Sequence, residues 1–176
     1  MAEIEDGRKF EKIALDFLKQ NNLPEAESNF IQALTHMKQS GDEEGQAYVL
    51  GNLGNLCFQS RRLDKAEEYY GKALTYMEKV NDIRGIESSL GNLGSVLFYK
   101  GNLNEAEKTY KKALKFLEDA NDTEGQSIYN ENLGNVYLKK EELAKAEDYF
   151  NRAKTLLDSE KNKDRIKAVE DKLDAL

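Results

Sequence analysis

The side chains best able to do chemistry are few in this chain. His36 is the only histidine and Cys57 the only cysteine. A zinc site needs several Cys or His ligands, and a Ser-His-Asp triad needs a histidine beside its nucleophile. At an offset of 40 residues the chain has Tyr76 in place of His36 and Leu97 in place of Cys57, so we interpret both as packing residues. We therefore expect no metal site, no cofactor and no catalytic residue.

Carboxylates and glycines are abundant, but their pattern indicates structure. A glutamate returns every 40 residues, and a residue repeated in every segment more often maintains a repeat than builds an active site. A Gly-Asn-Leu-Gly motif lacks the spacing of a phosphate-binding loop and falls inside a helical pattern, whereas phosphates bind at the start of a helix. We therefore predict that the protein is not an enzyme. The recurring glutamates are Glu27, Glu67, Glu107 and Glu147.

Composition excludes other classes of protein. The chain has 176 residues, of which 26 are basic and 33 acidic, and its net charge of −7 argues against a nucleic-acid binder. No apolar stretch approaches the roughly 18 residues of a membrane span, and the N-terminus lacks the apolar core of a signal peptide. A single cysteine allows no disulfide within the chain. We expect a cytoplasmic protein that binds neither nucleic acid nor membrane.

The sequence repeats at a spacing of 40 residues. A Leu-x-x-Ala-Glu segment starts at Leu23 and returns at Leu63, Leu103 and Leu143, and an aromatic residue follows each leucine seven residues later. Self-similarity at a fixed period is the sequence signature of a repeat protein. Motifs related to Gly-Asn-Leu-Gly-Asn occupy residues 51–55, 91–95 and 131–135.

Each block of 40 residues predicts two helices, because its apolar residues fall at helical spacing on both sides of a short break. Asp42, Asp82 and Asp122 are predicted to cap the first helices, and Asp64 and Asn104 the second helices. The predicted first helices span about 5–19, 43–59, 83–99 and 123–139, and the second helices about 24–39, 64–79, 104–119 and 144–158.

Glycines inside the predicted first helices indicate a close approach between helices. Glycine in a helix interior costs roughly 1 kcal/mol relative to alanine, so a compensating contact is expected at each of them. We predict that small residues of the second helix in the same block form the opposing surface. The glycines are Gly54, Gly94 and Gly134, and the predicted opposing residues are Ala66, Ala106 and Ala146.

These motifs resemble the tetratricopeptide repeat, with a small residue in the first helix, an alanine opening the second and an aromatic residue four positions later. The resemblance covers about 160 of the 176 residues. The period exceeds the usual 34 residues, and the sequence is similar to the long repeats of kinesin light chains and Partner-of-Inscuteable adaptors. It implies an all-α fold, a right-handed α-solenoid of four helix-turn-helix repeats. The repeats would be residues 1–40, 41–80, 81–120 and 121–160.

Residues 161–176 align with the start of a fifth first helix. Ile166, Val169, Leu173 and Leu176 form one apolar stripe, as a capping helix requires to cover the last repeat while its outer face stays polar. We therefore predict a C-terminal capping helix and expect the array to be a whole protein or a cleanly bounded domain.

The resemblance also implies a binding face, because the first helices of tetratricopeptide repeats line the concave surface. Asparagine is unfavourable inside helices, yet it recurs there, and its amide can pair with the N–H and C=O groups of an extended peptide. The amides could equally hold neighbouring repeats together; we favour ligand contact at Asn55 and Asn135. The predicted partner-binding residues are Tyr48, Asn52, Asn55 and Gln59; Ser88, Asn92, Ser95 and Tyr99; Asn132, Asn135 and Lys139, beside Ile128; and a basic spot of Arg8, Lys12 and Lys19.

The leading functional hypothesis is a non-enzymatic scaffold that binds an extended segment of a partner protein in the concave groove. The alternative is a structural protein whose repeats assemble with copies of themselves into homo-oligomers, since the ends of repeat arrays readily stack when capping is imperfect.

Overall fold

The computed structural model of the chain describes residues 2–157 and 161–176, with side chains from residue 5 onward. This described part contains nine α-helices and no strand. The helices are α1 (Ala2–Lys19), α2 (Leu23–Ser40), α3 (Glu43–Gln59), α4 (Leu63–Lys79), α5 (Ile83–Lys100), α6 (Leu103–Asp119), α7 (Thr123–Lys139), α8 (Leu143–Leu156) and α9 (Lys163–Asp174).

The helix bounds follow the sequence pattern closely. From α2 to α7 each helix begins and ends within one residue of its predicted bounds, and α1 begins at Ala2 rather than at residue 5. The predicted end of the last second helix, residue 158, lies outside the described residues. Contacts divide the chain into an N-terminal unit that ends at Val96 and a C-terminal unit that begins at Leu97. The division into four blocks of 40 residues stays a prediction.

Both units have an apolar core built between paired helices. In the N-terminal unit Phe30, Met37 and Leu53 are fully buried, and α1 packs on α2, α2 on α3 and α3 on α4. In the C-terminal unit Leu133 and Phe150 are fully buried, and α6 packs on α7, α7 on α8 and α8 on α9. Burial of these side chains is the main favourable contribution to folding.

A residue with left-handed backbone conformation ends a helix at every twentieth position. The residue after it donates its N–H to a carbonyl five residues back, as Asp42 does to Met37 at 2.9 Å, which satisfies an otherwise unpaired helix-end carbonyl. Glycine adopts this conformation freely and asparagine tolerates it, but for other residues it is sterically unfavourable. The left-handed residues, with φ between 54° and 83°, are Asn21, Gly41, Arg61, Asn81, Gly101, Asn121 and Glu141.

The predicted caps of the first helices are confirmed. Asp42 accepts a hydrogen bond from the Gly45 N–H at 2.8 Å, and Asp82 accepts one from Gly85 at 3.0 Å. Asp122 makes the same bond at 2.9 Å to the residue three positions on. These bonds satisfy backbone donors that the first turn of a helix leaves without partners.

The predicted caps of the second helices are wrong. The helices α4 and α6 begin at Leu63 and Leu103, so Asp64 and Asn104 lie inside the first turn. The residues at the cap positions, Arg62 and Asn102, make no side-chain cap bond. Each helix starts earlier than predicted because the left-handed residue two positions before it already completes the reversal of the chain.

The glycines inside the first helices do lie at a close approach, but the opposing surface differs from the prediction. A Cβ atom on Gly54 would lie 2.6 Å from the ring of Tyr70, and one on Gly134 would lie 2.5 Å from the ring of Phe150. The aromatic residue of the second helix, rather than the alanine four residues before it, therefore faces the glycine.

The last helix, α9, is held to α7 by a glutamate that departs from the repeat. Glu131 stands where the two preceding blocks have Gly51 and Gly91. Its carboxylate lies 2.6 Å from Lys172 Nζ and 3.7 Å from an Arg165 nitrogen. Val169 of α9 is fully buried in a cluster with Tyr137, Ala146 and Phe150. These contacts support the interpretation of residues 161–176 as a cap.

We predict that replacing Glu141 by glycine raises the free energy of unfolding. The left-handed conformation costs an ordinary residue about 1–2 kcal/mol, and glycine relieves this strain. Because glycine is also freer in the unfolded chain, the net increase in the free energy of unfolding should be about 0.5–1 kcal/mol. Gly41→Ala should cost about 1 kcal/mol, because no atom lies near a Cβ there and the backbone conformation alone is strained. Urea denaturation measures both; a stabilised G41A or a destabilised E141G would contradict the assignment.

Glu131→Ala should loosen α9 and lower the free energy of unfolding by up to about 1 kcal/mol through loss of its ion pairs. Hydrogen–deuterium exchange should then become faster in residues 163–174. Glu147→Ala, at an exposed position of α8, is the matched control and should leave this exchange unchanged. Equal exchange in E131A and wild type would show that Glu131 does not dock α9.

Candidate functional site

Five of the predicted partner-binding residues line one cavity of the N-terminal unit. The cavity has a volume of about 340 Å³ and lies along α3 and α5, with Tyr70 and Met77 of α4 in its wall. Helical spacing of four and seven residues places polar side chains of one helix on the same side. We call this cavity the α3–α5 groove. The five predicted residues are Tyr48, Asn52, Asn55, Ser88 and Asn92.

Tyr48 bonds to the cap of the next first helix. Its hydroxyl donates to Asp82 Oδ2 at 2.8 Å, and the backbone N–H of Gly85 donates to the other oxygen of the same carboxylate. The Gly85 N–H and then the Tyr48 hydroxyl lower the pKa of Asp82, while the same bond raises the pKa of Tyr48. Arg8, 40 residues before Tyr48, donates to Asp42 in the same way at 3.4 Å. In the first two blocks the side chain at this position therefore bonds to the capping aspartate of the following block.

Asn55 is oriented by the helix that packs on its own. The hydroxyl of Tyr70 donates to Asn55 Oδ1 at 2.7 Å, which leaves the two Nδ2 hydrogens for another acceptor. Burial raises the pKa of Tyr70, so the hydroxyl keeps its proton and remains a donor. Phe150 occupies the corresponding position in the C-terminal unit and has no hydroxyl for Asn135. The two asparagines that we favoured for ligand contact thus have different surroundings.

The other predicted residues of the N-terminal unit do not line the groove. Gln59 is exposed in the last turn of α3, and Ser95 donates its hydroxyl to the Gly91 carbonyl at 3.0 Å. Lys12 is exposed, and Lys19 is paired with Asp16 at 3.0 Å. The basic spot is therefore partly neutralised by its own carboxylates.

The C-terminal unit contains the remaining predicted residues. Asn132 and Asn135 are half-buried on α7. Tyr99 is exposed on α5, and Lys139 Nζ lies 4.8 Å from the ring centre of Phe98, close enough for a cation–π interaction.

Reasoning from sequence missed Arg84, which lines the α3–α5 groove and is exposed. The residues 40 positions before and after it are Glu44 and Glu124, so the charge is reversed at this one block. That reversal at a fixed offset is the signal that could have identified Arg84. It places a cation in the lining of the cavity that Asn52 and Asn92 also line.

The residues with intrinsic chemical reactivity are engaged in packing. Cys57 is fully buried, and burial raises the pKa of its thiol, which disfavours the reactive thiolate. His36 is half-buried, and its ring stacks on Phe10 with 5.4 Å between centres. Among residues 2–157 and 161–176, no three His, Cys, Asp or Glu side chains are grouped to hold a metal ion. In the same residues no helix is long and apolar enough to cross a membrane.

Two of the recurring glutamates, Glu27 and Glu107, join blocks. Glu107 shows this most fully. It accepts hydrogen bonds from Lys111 at 2.7 Å, from the Tyr137 hydroxyl at 2.6 Å and from Lys140 at 2.8 Å. Burial opposes its ionisation, but these donors outweigh burial and lower the pKa of Glu107 to about 2. A carboxyl group with this pKa stays ionised at neutral pH and cannot act there as a general acid or base.

In the N-terminal unit Glu27 makes the corresponding bonds to Arg62. Two parallel hydrogen bonds of 2.8 and 2.9 Å join the guanidinium to the carboxylate. Such bidentate pairs are among the stronger polar contacts in proteins. The glutamate at this offset thus links its helix to the next block in both units, which supports the structural interpretation of these carboxylates.

Comparison with known families identifies the repeat. A family model described as "Tetratricopeptide repeat" matches residues 7–79 and 85–159. A comparison with curated proteins finds no match.

Solved structures share the fold. BtubC (BKLC) from P. vanneervenii is 24% identical with a TM-score of 0.79, over 85% of this chain and 62% of that one. The apo form of RapI is 16% identical with a TM-score of 0.84, over 96% of this chain and 64% of that one. A putative kinesin light chain with nearly identical TPR-like repeats from Podosopora anserina is 13% identical with a TM-score of 0.81, over 98% of this chain and 85% of that one. The chain thus has the fold of an all-α repeat solenoid, and it spans less than two thirds of the first two proteins.

Glu107→Gln should make the free energy of unfolding less dependent on pH below pH 4.5. Because the pKa of Glu107 is lowered from 4.5 to about 2, its contribution to stability is present above pH 4.5 and is lost as the pH falls from 4.5 towards 2. The variant lacks this contribution, so it should be less stable at neutral pH and lose less on acidification. Urea denaturation across this pH range measures the difference, with the exposed Glu105→Gln as the control. The same pH dependence in E107Q and wild type would refute this role.

Proposed function

The chain belongs to the tetratricopeptide repeat family, whose members generally mediate protein–protein interactions and whose fold is typically a non-enzymatic scaffold, and we propose that this one binds an extended segment of a partner protein in the α3–α5 groove. The observation that carries the proposal is the convergence of Tyr48, Asn52, Asn55, Ser88 and Asn92 on one cavity.

The polar groups of the groove suit a peptide backbone. Asn52 and Asn92 lie at the same offset in successive blocks and are half-buried. Each amide offers a donor and an acceptor, as each residue of an extended peptide does. Recognition through the backbone gives affinity without requiring one particular side chain, and the volume of about 340 Å³ is within the usual range of ligand sites.

Asn55 adds a preorganised donor. Because the Tyr70 hydroxyl holds its Oδ1 in place, the Nδ2 hydrogens need little ordering when a carbonyl of the partner approaches. Reducing the entropy lost by a side chain on binding raises affinity without adding contacts. We therefore expect Tyr70 to assist binding through Asn55.

One exposed cation of the groove offers a position for a carboxylate of the partner segment. Asp82, the acidic side chain lining the groove, already accepts hydrogen bonds from Tyr48 and Gly85. The exposed guanidinium of Arg84 is positioned to pair with an acidic side chain, with bidentate geometry available. Exposed pairs of this kind contribute more to specificity and association rate than to affinity.

Self-assembly into homo-oligomers has less support. The exposed face of α9 has the charged residues Lys163, Asp164, Lys167, Asp171 and Asp174. A charged outer face at the end of a repeat array opposes stacking on a second copy. Light scattering distinguishes the two functions, because the scaffold should remain a monomer on dilution and an assembling protein should not.

Asn55→Ala combined with Asn92→Ala should weaken binding about ten-fold or more, since two hydrogen bonds at about 0.5–1.5 kcal/mol each are lost. The partner segment is first identified by affinity capture and mass spectrometry and then titrated as a synthetic peptide by calorimetry. Asn104→Ala, at an exposed position of α6, is the matched control. Tyr70→Phe should give a smaller loss and keep the fold, because Phe30 and Phe150 occupy this offset elsewhere. If the folded double variant bound the peptide as tightly as wild type, the proposal that the partner binds in the α3–α5 groove would be wrong.

A further inference from the structure

Ser89 of α5 is a small polar residue at a buried position of the repeat. The blocks on either side have the larger side chains of Val49 and Tyr129 at this offset, and both are buried. Ser89 is itself only 6% exposed. A buried hydroxyl destabilises a fold unless hydrogen bonds offset its lost hydration. The position of Ser89 therefore calls for a hydrogen-bond partner.

The protein does not supply that partner. The Ser89 hydroxyl makes no hydrogen bond to any of residues 2–157 and 161–176, whereas the buried hydroxyl of Ser127 donates to the Ala153 carbonyl at 3.1 Å. In the same residues, the side-chain polar atoms that have neither a partner nor access to solvent belong to His36 and Asn130, not to Ser89. Because Ser89 lines the α3–α5 groove, its hydroxyl is reached from that cavity. Such unsatisfied groups in native proteins call for a water or a ligand.

A second departure from the repeat leaves space in the same cavity. Gly51 of α3 also lines the α3–α5 groove, where the first and fourth blocks have Glu11 and Glu131. Glycine inside a helix is destabilising, and at Gly54 the close approach of a ring requires it. At Gly51 no atom lies within 4 Å of an added Cβ, so packing does not require a glycine there. Gly51 keeps the groove open.

The groove offers hydrogen bonds without net charge. Its two charged residues, Asp82 and Arg84, have opposite signs, and both carboxylate oxygens of Asp82 already accept hydrogen bonds. Arg84 is exposed, whereas Ser89 is buried. Burying a charged group beside Ser89 would cost far more than burying a neutral polar group. The remaining polar side chains of the lining are neutral: Asn52, Asn55, Ser88, Ser89 and Asn92.

We propose that the α3–α5 groove contains a pocket, formed around Ser89 and Gly51, that takes a glutamine or asparagine side chain of the partner segment. A carboxamide is neutral and has both donors and an acceptor, as the Ser89 hydroxyl has. Its methylene groups lie on the apolar wall of Tyr70 and Met77. The inference rests on the proposed function and adds to it a preference for one residue of the bound segment.

Three capped amino acids of similar length test the preference. Glutamine, glutamate and methionine, each with an acetyl and an N-methylamide cap, share one backbone and differ in the end of the side chain. In NMR titrations of the full-length chain, the glutamine probe should shift the backbone amide of Ser89 at millimolar concentration. The other two should bind at least about five-fold more weakly, because they cannot make the same hydrogen bonds.

The contrary outcomes of these titrations are specific. Equal binding of the three probes, or no shift at Ser89 with glutamine, would overturn the proposal. Tightest binding of glutamate would also overturn it and would assign the pocket to a carboxylate that pairs with Arg84.

Two variants separate the hydroxyl from the space. Ser89→Ala keeps the space and should abolish the preference for glutamine over methionine. Gly51→Leu fills the space and should abolish binding of the glutamine probe. Gly71→Leu is the matched control, because Gly71 of α4 also has no atom within 4 Å of an added Cβ and lies outside the groove. An unchanged preference in folded S89A, or unchanged binding in folded G51L, would exclude the pocket.

Failure of the pocket can be told from failure of the groove. In titrations with the captured partner peptide, Ser89→Ala should weaken binding about five-fold. If the peptide loses affinity in the double alanine variant at positions 55 and 92 but binds S89A as tightly as wild type, the groove stands and the carboxamide pocket is wrong. If neither set of changes weakens binding, both proposals are wrong.

Discussion

The structure depends on one backbone constraint, a left-handed residue at every twentieth position. Each of these residues ends a helix and lets the next N–H bond to a carbonyl five residues back, as Arg62 does to Cys57 and Glu142 to Tyr137. Because the helices are thereby nearly equal in length, residues at the same position in successive blocks contact equivalent neighbours. The Asp caps, the contact of glycine with an aromatic ring and the glutamate links between blocks recur for this reason.

A repeat of this regularity makes exceptions informative. Glu131 replaces a glycine and pairs with Lys172 and Arg165 of the last helix. Arg84 stands where the neighbouring blocks have a glutamate, and it lines the α3–α5 groove. Ser89 stands where the neighbouring blocks have larger side chains, and its buried hydroxyl bonds to no described residue. The departure at Glu131 stabilises the last helix, whereas departures that cost stability without such a gain are expected where a protein serves a function.

The sequence predicts what is periodic and misses what needs three-dimensional distances. Helix bounds from α2 to α7 followed from apolar spacing to within one residue. The cap predicted at Asp64 was wrong because Arg61 is not a residue type that favours the left-handed conformation, so the sequence did not show where the chain reverses before α4. The predicted contact of glycine with alanine was wrong because the orientation of paired helices decides which side chain fills the gap. The groove amides could be identified, whereas the bond from Tyr70 to Asn55 joins two helices and has no signature in either.

Site-specific photo-crosslinking tests the central claim, that a partner lies in the α3–α5 groove, most directly. Benzoylphenylalanine is introduced at Ser88, which is exposed and lines the groove, or at Ile31, which is exposed on α2. The account predicts that one partner segment is cross-linked from position 88 and not from position 31. The cross-link should be lost when Asn55 and Asn92 are also changed to alanine. Cross-linking from position 31 and not from position 88 would contradict the account.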